Sequence, residues 1–127
     1  LARRNTVPDR KAPFAYDGLD RVFHEKARLG IVTSLSGHRD GLSFADLKTL
    51  CGLTDGNLNR HLQVLEEAGH VQVEKAFEGK RPRTRVCLTE EGRRRFGAYL
   101  TVLEQVLVQA GGATGGVALR SLETRPA

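Results

Sequence analysis

The sequence predicts a mostly helical α+β fold in one domain, with long first and last helices and a two-stranded β-hairpin between them. Three observations carry this. Apolar residues recur at helical intervals towards both ends of the chain. Leu58, Leu62 and Leu65 mark a central helix at i, i+4 and i+7, and Val71, Val73, Val86 and Leu88 alternate with polar neighbours on either side of a glycine-bearing turn. At 127 residues the chain has room for one modest core, so a single domain over residues 18–110 is expected.

The elements follow in order. Residues 1–17, LARRNTVPDRKAPFAYD, mix Pro, Asp and basic residues without periodicity and read as a flexible arm. From Gly18 a helical pattern begins, with Leu19, Val22, Phe23, Ala27, Gly30, Ile31 and Leu35 on one arc and a stop at Ser36-Gly37. Leu29 and Val32 widen that arc beyond one packing face, which points to a second surface to cover. Ser43 with Asp46 three residues on makes a capping-box-like start for a second helix, Phe44 to about Cys51, which Gly52 ends. Thr54 then caps a third helix running from Asp55 to Ala68. Two helices joined by a turn of about four residues form a helix-turn-helix.

After Ala68-Gly69 comes the hairpin, whose connection EGKRPRTR, residues 78–85, is expected to be a protruding basic loop with Gly79 in its turn. Thr89 caps the last helix, with Glu90 and Glu91 at the positive end of its dipole. Phe96, Tyr99, Leu100, Leu103, Val106, Leu107 and Ala110 line one face of it, and Val102 and Val108 lie off that face. Residues 111–127, rich in Gly and small side chains, are expected to be disordered.

Composition narrows the function. Twenty Lys and Arg against 15 Asp and Glu give a net charge of +5, which favours an anionic partner. Cys51 and Cys87 lack CxxC spacing, which fits a reducing compartment, and no apolar run approaches the roughly 18 residues of a membrane span. A cytoplasmic, nucleoid-associated protein is expected. The chain has no Met, so position 1 is not taken as its natural start. His24, His38 and His70 have no partner at metal-ligand spacing, and no nucleophile–base pair, carboxylate pair or phosphate loop stands out. The expectation is therefore no metal, no cofactor and no enzymatic activity.

The order helix, helix, turn, helix, basic hairpin, helix resembles a winged helix-turn-helix regulator of the MarR/ArsR-like group. The resemblance runs from Leu19 to about Leu107 and is strongest in LNRHLQVLEEAGHV, residues 58–71, and LTEEGRRRF, residues 88–96. It implies that the third helix enters the major groove and that the hairpin, as a wing, touches the flanking minor groove or backbone. It also implies a homodimer, and it allows a small apolar effector between the first and last helices, although no residue here marks one. The Cys pairs of the metal-sensing members are absent.

The side chains support that reading independently. With Leu58, Leu62 and Leu65 buried, the opposite helix face carries Gly56, Arg60 and Gln63 with Asn57 and Asn59 on its flanks. Arg pairs bidentately with guanine, and Asn or Gln with adenine. Lys75, Lys80, Arg81, Arg83 and Arg85 make the hairpin a positive arm for phosphates or a narrow minor groove. Ser43, Thr54 and His61 complete the candidate DNA contacts. His61, near the edge of the buried stripe, is read first as a packed, hydrogen-bonded histidine, and as a phosphate neighbour rather than a metal ligand or base. The dimer is expected through the first and last helices, Asp20 to Leu35 and Glu90 to Gln109. That would place two reading helices on half-sites of a pseudo-palindromic operator about 10 base pairs apart. Sequence-specific double-stranded DNA binding by a transcriptional regulator is the expected function. Repression is the expected mode, with activation equally compatible with the residues. The alternative is a winged-helix protein-interaction module whose hairpin meets an acidic partner.

Overall fold

The computed structural model describes residues 12–114. Its elements are α1 (Lys26–Ser36), β1 (Leu42–Ser43), α2 (Phe44–Cys51), α3 (Asp55–Glu67), β2 (Val71–Glu78), β3 (Arg81–Leu88) and α4 (Glu90–Thr114). The chain divides into two compact units, Asp20–Ala98 and the described parts of the two ends, residues 12–19 and 99–114.

In the unit Asp20–Ala98 the core is built from Phe23, Ile31, Val32, Leu35, Leu47, Leu58, Leu65 and Val86, all without solvent exposure. Phe23 stacks on His70 at 4.7 Å between ring centroids and meets Phe96 edge-on at 5.3 Å, tying the start of α4 to the segment before α1.

The first helix is shorter than its apolar periodicity implied. It begins at Lys26, not near Gly18 or Asp20, because local side chains offer the backbone better partners than a helical ladder. Asp20 accepts from the Val22 amide at 2.9 Å, the Arg28 guanidinium donates to the Val22 carbonyl at 2.7 Å, and Glu25 caps α1 by accepting from the Arg28 amide at 2.8 Å. Val32, which the periodicity placed off the core face, is fully buried, while Leu29 is half-buried beside a groove that it lines.

The helix-turn-helix forms as expected. Ser43 Oγ accepts from the Asp46 amide at 3.0 Å and Thr54 Oγ1 from the Asn57 amide at 3.1 Å. Gly52 closes α2 in the left-handed region at φ +64°, where a side chain would be strained.

The sheet differs from the expected two-stranded hairpin in two ways. It has three strands in the order β1-β3-β2, because Leu42 and Ser43 pair with Val86 and Arg85. The segment expected as a loop at residues 78–85 is instead largely strand, with Glu78 opposite Arg81 and only Gly79 and Lys80 in the turn. Gly79 has φ +67° and is followed by a residue with negative φ, the sign pattern of a II′ turn, which matches the twist of the flanking strands. Glu78 and Arg81 close the turn as a hydrogen-bonded pair, so Phe77 and Pro82 form the next, non-hydrogen-bonded pair. Pro82 therefore points its missing N–H away from β2, at an edge that β1 does not reach, where proline costs the ladder nothing.

Thr89 opens α4, accepting from the Gly92 amide at 2.8 Å while donating to the Gly69 carbonyl at 2.7 Å. Its three arginines are used within the unit. Arg93 donates to the Ser36 carbonyl, and Arg94 and Arg95 both bond Glu91, whose carboxyl they hold down at about 2. Helix α4 runs on to Thr114, so positions 111–114 of the expected tail are helical. The rest of that tail lies outside the described residues, as do positions 1–11 of the expected arm.

In the other unit the described end of that arm is ordered by α4. Tyr16 donates from its hydroxyl to Gln109 Oε1, and Gly18 lies so close to Val102 that a Cβ would sit 2.6 Å from its methyl. No helix of the described residues is long and apolar enough to cross a membrane.

Candidate nucleic-acid interface

Helix α3 buries one stripe and presents the other. Leu58, Leu62 and Leu65 lie in the core, while Asn57, Asn59, Arg60 and Gln63 are exposed. Arg60 donates to Asn57 Oδ1 at 3.2 Å, one turn apart, which aligns these two polar side chains on one exposed face. Thr54, exposed at the N-terminus of α3, spends its hydroxyl on the cap, as Ser43 does for α2. Asp55 is bridged to Lys48 of α2 at 2.9 Å across the turn, an exposed pair worth under about 1 kcal/mol.

His61 turns inwards from that face. Its Nδ1 lies 3.2 Å from the Arg28 guanidinium and 3.8 Å from Glu25, with the side chain 12% exposed. This is the packed position its place at the stripe's edge allowed for. Burial pushes the Glu25 carboxyl up, but the Arg28 and Ala27 amides and the His61 and Arg28 charges outweigh it, and its pKa is lowered.

The hairpin cations divide by face. The register places Lys75, Phe77, Pro82 and Thr84 on the face that carries Val71, Val73, Val86 and Leu88 at its base, and Arg81, Arg83 and Arg85 on the other. Arg83 bonds Glu78 at 2.8 Å. Arg85 donates to the carbonyls of Asp40 and Gly41 at 3.0 and 3.1 Å, bracing the loop before β1. Lys75, Lys80 and Arg81 make no described ion pair, so they are the hairpin charges most available to phosphate.

A cleft of about 540 Å³ separates α3 from the inner face of the hairpin, lined by Phe44, Asn59, Leu62, Gln63, Glu66, Val73, Lys75 and Thr84. A second, of about 420 Å³, lies between Ser43, Phe44 and Ala45 at the start of α2 and Arg81 to Thr84 of β3. Sequence reasoning placed Asn59, Gln63 and Lys75 but missed Phe44, Glu66 and Thr84, since only the strand register brings Thr84 beside α3. Cys51 and Cys87 are both free and half-buried. Among the described residues no group of three or more His, Cys, Asp or Glu could hold a metal ion.

A capped helix-turn-helix whose polar face stands beside a basic hairpin defines a winged helix domain. The family model of winged helix DNA-binding domains matches residues 27–107, and the chain belongs to that family. It is 35% identical over 86 residues to an uncharacterized protein of Methanocaldococcus jannaschii, a match covering 68% of this chain and 92% of that protein. Among solved structures it resembles a transcriptional regulator homologue from Pyrococcus horikoshii OT3, with TM-score 0.69 and 29% identity over 81% of this chain and 97% of that one. It shares the fold of a MarR-family regulator from Silicibacter pomeroyi, with TM-score 0.54 and 22% identity over 80% of this chain and 65% of that one.

Proposed function

We propose that this chain is a transcriptional regulator that binds double-stranded DNA in a sequence-specific way as a homodimer, with repression as its mode of action. The observation that carries the reading is the cleft between α3 and the hairpin. Asn59 and Gln63 line one wall and Lys75 the other, and Arg60 and Asn57 are exposed on the same helix. A duplex laid against α3 and the hairpin would offer base edges to the exposed face of α3 and phosphates to Lys75 on the inner face of the hairpin and to Lys80 and Arg81 at its turn. Family membership and the likeness to the Pyrococcus regulator homologue support the same use. On this reading the protein works in the cytoplasm, on the chromosome.

The subunit contact is proposed for α4, where Leu100, Leu107 and Val108 are 44%, 42% and 55% exposed. Helix α1 is a weaker candidate than its sequence suggested, since Ile31, Val32 and Leu35 are already covered within the chain. Two subunits related by a two-fold axis would read an inverted repeat with half-sites about 10 base pairs apart.

A salt series on two variants tests the proposal. Arg60→Ala should relax preference at one base pair by about 1–3 kcal/mol and leave the salt slope close to the parent's. Arg81→Ala should weaken all sequences alike and reduce the slope by about one ion. Weak, sequence-blind binding by the parent, unchanged in both variants, would instead favour a module that engages an acidic protein.

A further inference from the structure

The basic character of the hairpin does not account for its tip. Phe77 is 75% exposed, the most exposed large apolar side chain among the described residues, near the far end of a strand whose base is in the core. Phe77 faces Pro82 across the hairpin in a non-hydrogen-bonded pair, the kind in which side chains approach most closely, one residue from the two-residue turn. The strand register fixes which way the pair faces. It lies on the same side as Lys75 and Thr84, which line the cleft opposite α3, while Arg83 and its Glu78 partner occupy the reverse side. The face of the hairpin turned towards α3 thus carries an exposed apolar pair one residue below the Glu78–Arg81 turn, with Lys75 next along the same face.

An exposed Phe–Pro pair adds little in water beyond its own cross-strand contact, and it offers a phosphate no charge or hydrogen bond. Phe and Pro are, however, side-chain types that wedge between base steps from the minor groove, unstacking them and bending the duplex. The geometry points to Phe77, backed by Pro82, as an apolar wedge that enters the minor groove flanking the site read by α3, with Lys75 and Lys80 holding the adjacent backbones. The inference rests on the DNA-binding reading and adds a second source of specificity to it. The wedge selects steps that unstack easily, pyrimidine–purine steps above all, at a position where no side chain reads a base edge. Its contribution to affinity is apolar, so it should not depend on salt as the lysines' contribution does.

The test uses the full chain and a duplex selected by it, with a TA or a GC step placed under the hairpin. Wild-type protein should prefer the TA duplex, and Phe77→Ala should bind it about tenfold more weakly with an unchanged salt slope and no remaining preference between the steps. Since the chain contains no Trp, Phe77→Trp installs a single reporter at the tip, whose fluorescence should be quenched by duplex through stacking on a base. Phe77→Ala binding like wild type, or an unquenched Trp in a variant that still binds, would overturn the wedge while leaving DNA recognition intact. Wild-type protein that binds no duplex would overturn the DNA-binding reading and the wedge with it. A change in sedimentation of Phe77→Ala without any change in DNA affinity would assign the tip to a contact between copies of the chain and reject the wedge.

Discussion

Gly92 is the point at which α4 meets the sheet, and replacing it by Ala has a cost that can be worked through. An alanine Cβ there would lie 2.1 Å from the His70 carbonyl oxygen and 2.8 Å from its carbon and Cα. A close carbon–oxygen contact is about 3.3 Å, so backbone must part from backbone by about 1 Å. Three hydrogen bonds sit at that junction. The Thr89 amide donates to the His70 carbonyl at 3.0 Å, the Thr89 hydroxyl to the Gly69 carbonyl at 2.7 Å, and the Gly92 amide to the Thr89 hydroxyl at 2.8 Å. At about 1 kcal/mol each, their loss costs about 3 kcal/mol. Alanine returns less than about 1 kcal/mol in helix propensity, because the site lies in the first turn. The expected net loss of about 2 kcal/mol is a large fraction of a small domain's stability of about 5–15 kcal/mol. Urea unfolding should show a lower midpoint at an unchanged slope. Gly97→Ala, one and a half turns further along the same helix with nothing within 4 Å of its Cβ, should gain about 0.5–1 kcal/mol. Gly92→Ala as stable as wild type, or the two substitutions acting alike, would refute the close approach.

The remaining expectations concern pH, capping and one arginine. Burial lowers the pKa of His70, against the raising influence of Asp20 and Glu91 and with help from Arg95, and its Nδ1 has no hydrogen-bond partner among the described residues. The unfolded chain therefore takes up the proton first, and the stability gained from a neutral His70 is present above about pH 6.5 and lost as pH falls below it. Denaturant midpoints at about pH 7.5 and pH 5 should diverge in wild type and converge in His70→Phe, which keeps a ring against Phe23; an equal divergence in both would point elsewhere. Thr54→Ala should cost about 1 kcal/mol and Thr54→Ser almost nothing in thermal unfolding, since only the hydroxyl cap of α3 distinguishes them. Arg85→Ala should lower stability by about 1 kcal/mol through its two bonds to the Asp40 and Gly41 carbonyls, and change the salt slope of DNA binding less than Arg81→Ala does.

Where a short stretch of residues decided the structure, the sequence was readable. Ser43 and Thr54 marked both helix starts, Gly52 the turn, and Leu58, Leu62 and Leu65 the buried side of α3, so the exposed side with Asn57, Asn59, Arg60 and Gln63 followed by subtraction. Where distant residues decided it, the pattern misled. The apolar spacing from Leu19 to Leu35 suits one long helix, but Asp20, Glu25 and Arg28 tie up backbone groups through their side chains and delay the start to Lys26. Strand β1 is two residues long and exists only because β3 is beside it. Residues 78–85 have the composition of a loop, yet the two-residue turn and an unpaired edge for Pro82 let them extend as strand. The division of the hairpin cations, with Arg85 bracing a loop and Lys75 facing α3, depends on that register and had no local signal.

Selection of bound sequences from a random duplex pool at near-physiological salt, with the mass of the protein determined in the same buffer, bears most directly on the function proposed. The expected result is an enriched inverted repeat with half-sites about 10 base pairs apart and a mass of two chains. No enrichment, with only weak binding that vanishes as salt rises, would contradict sequence-specific recognition by α3.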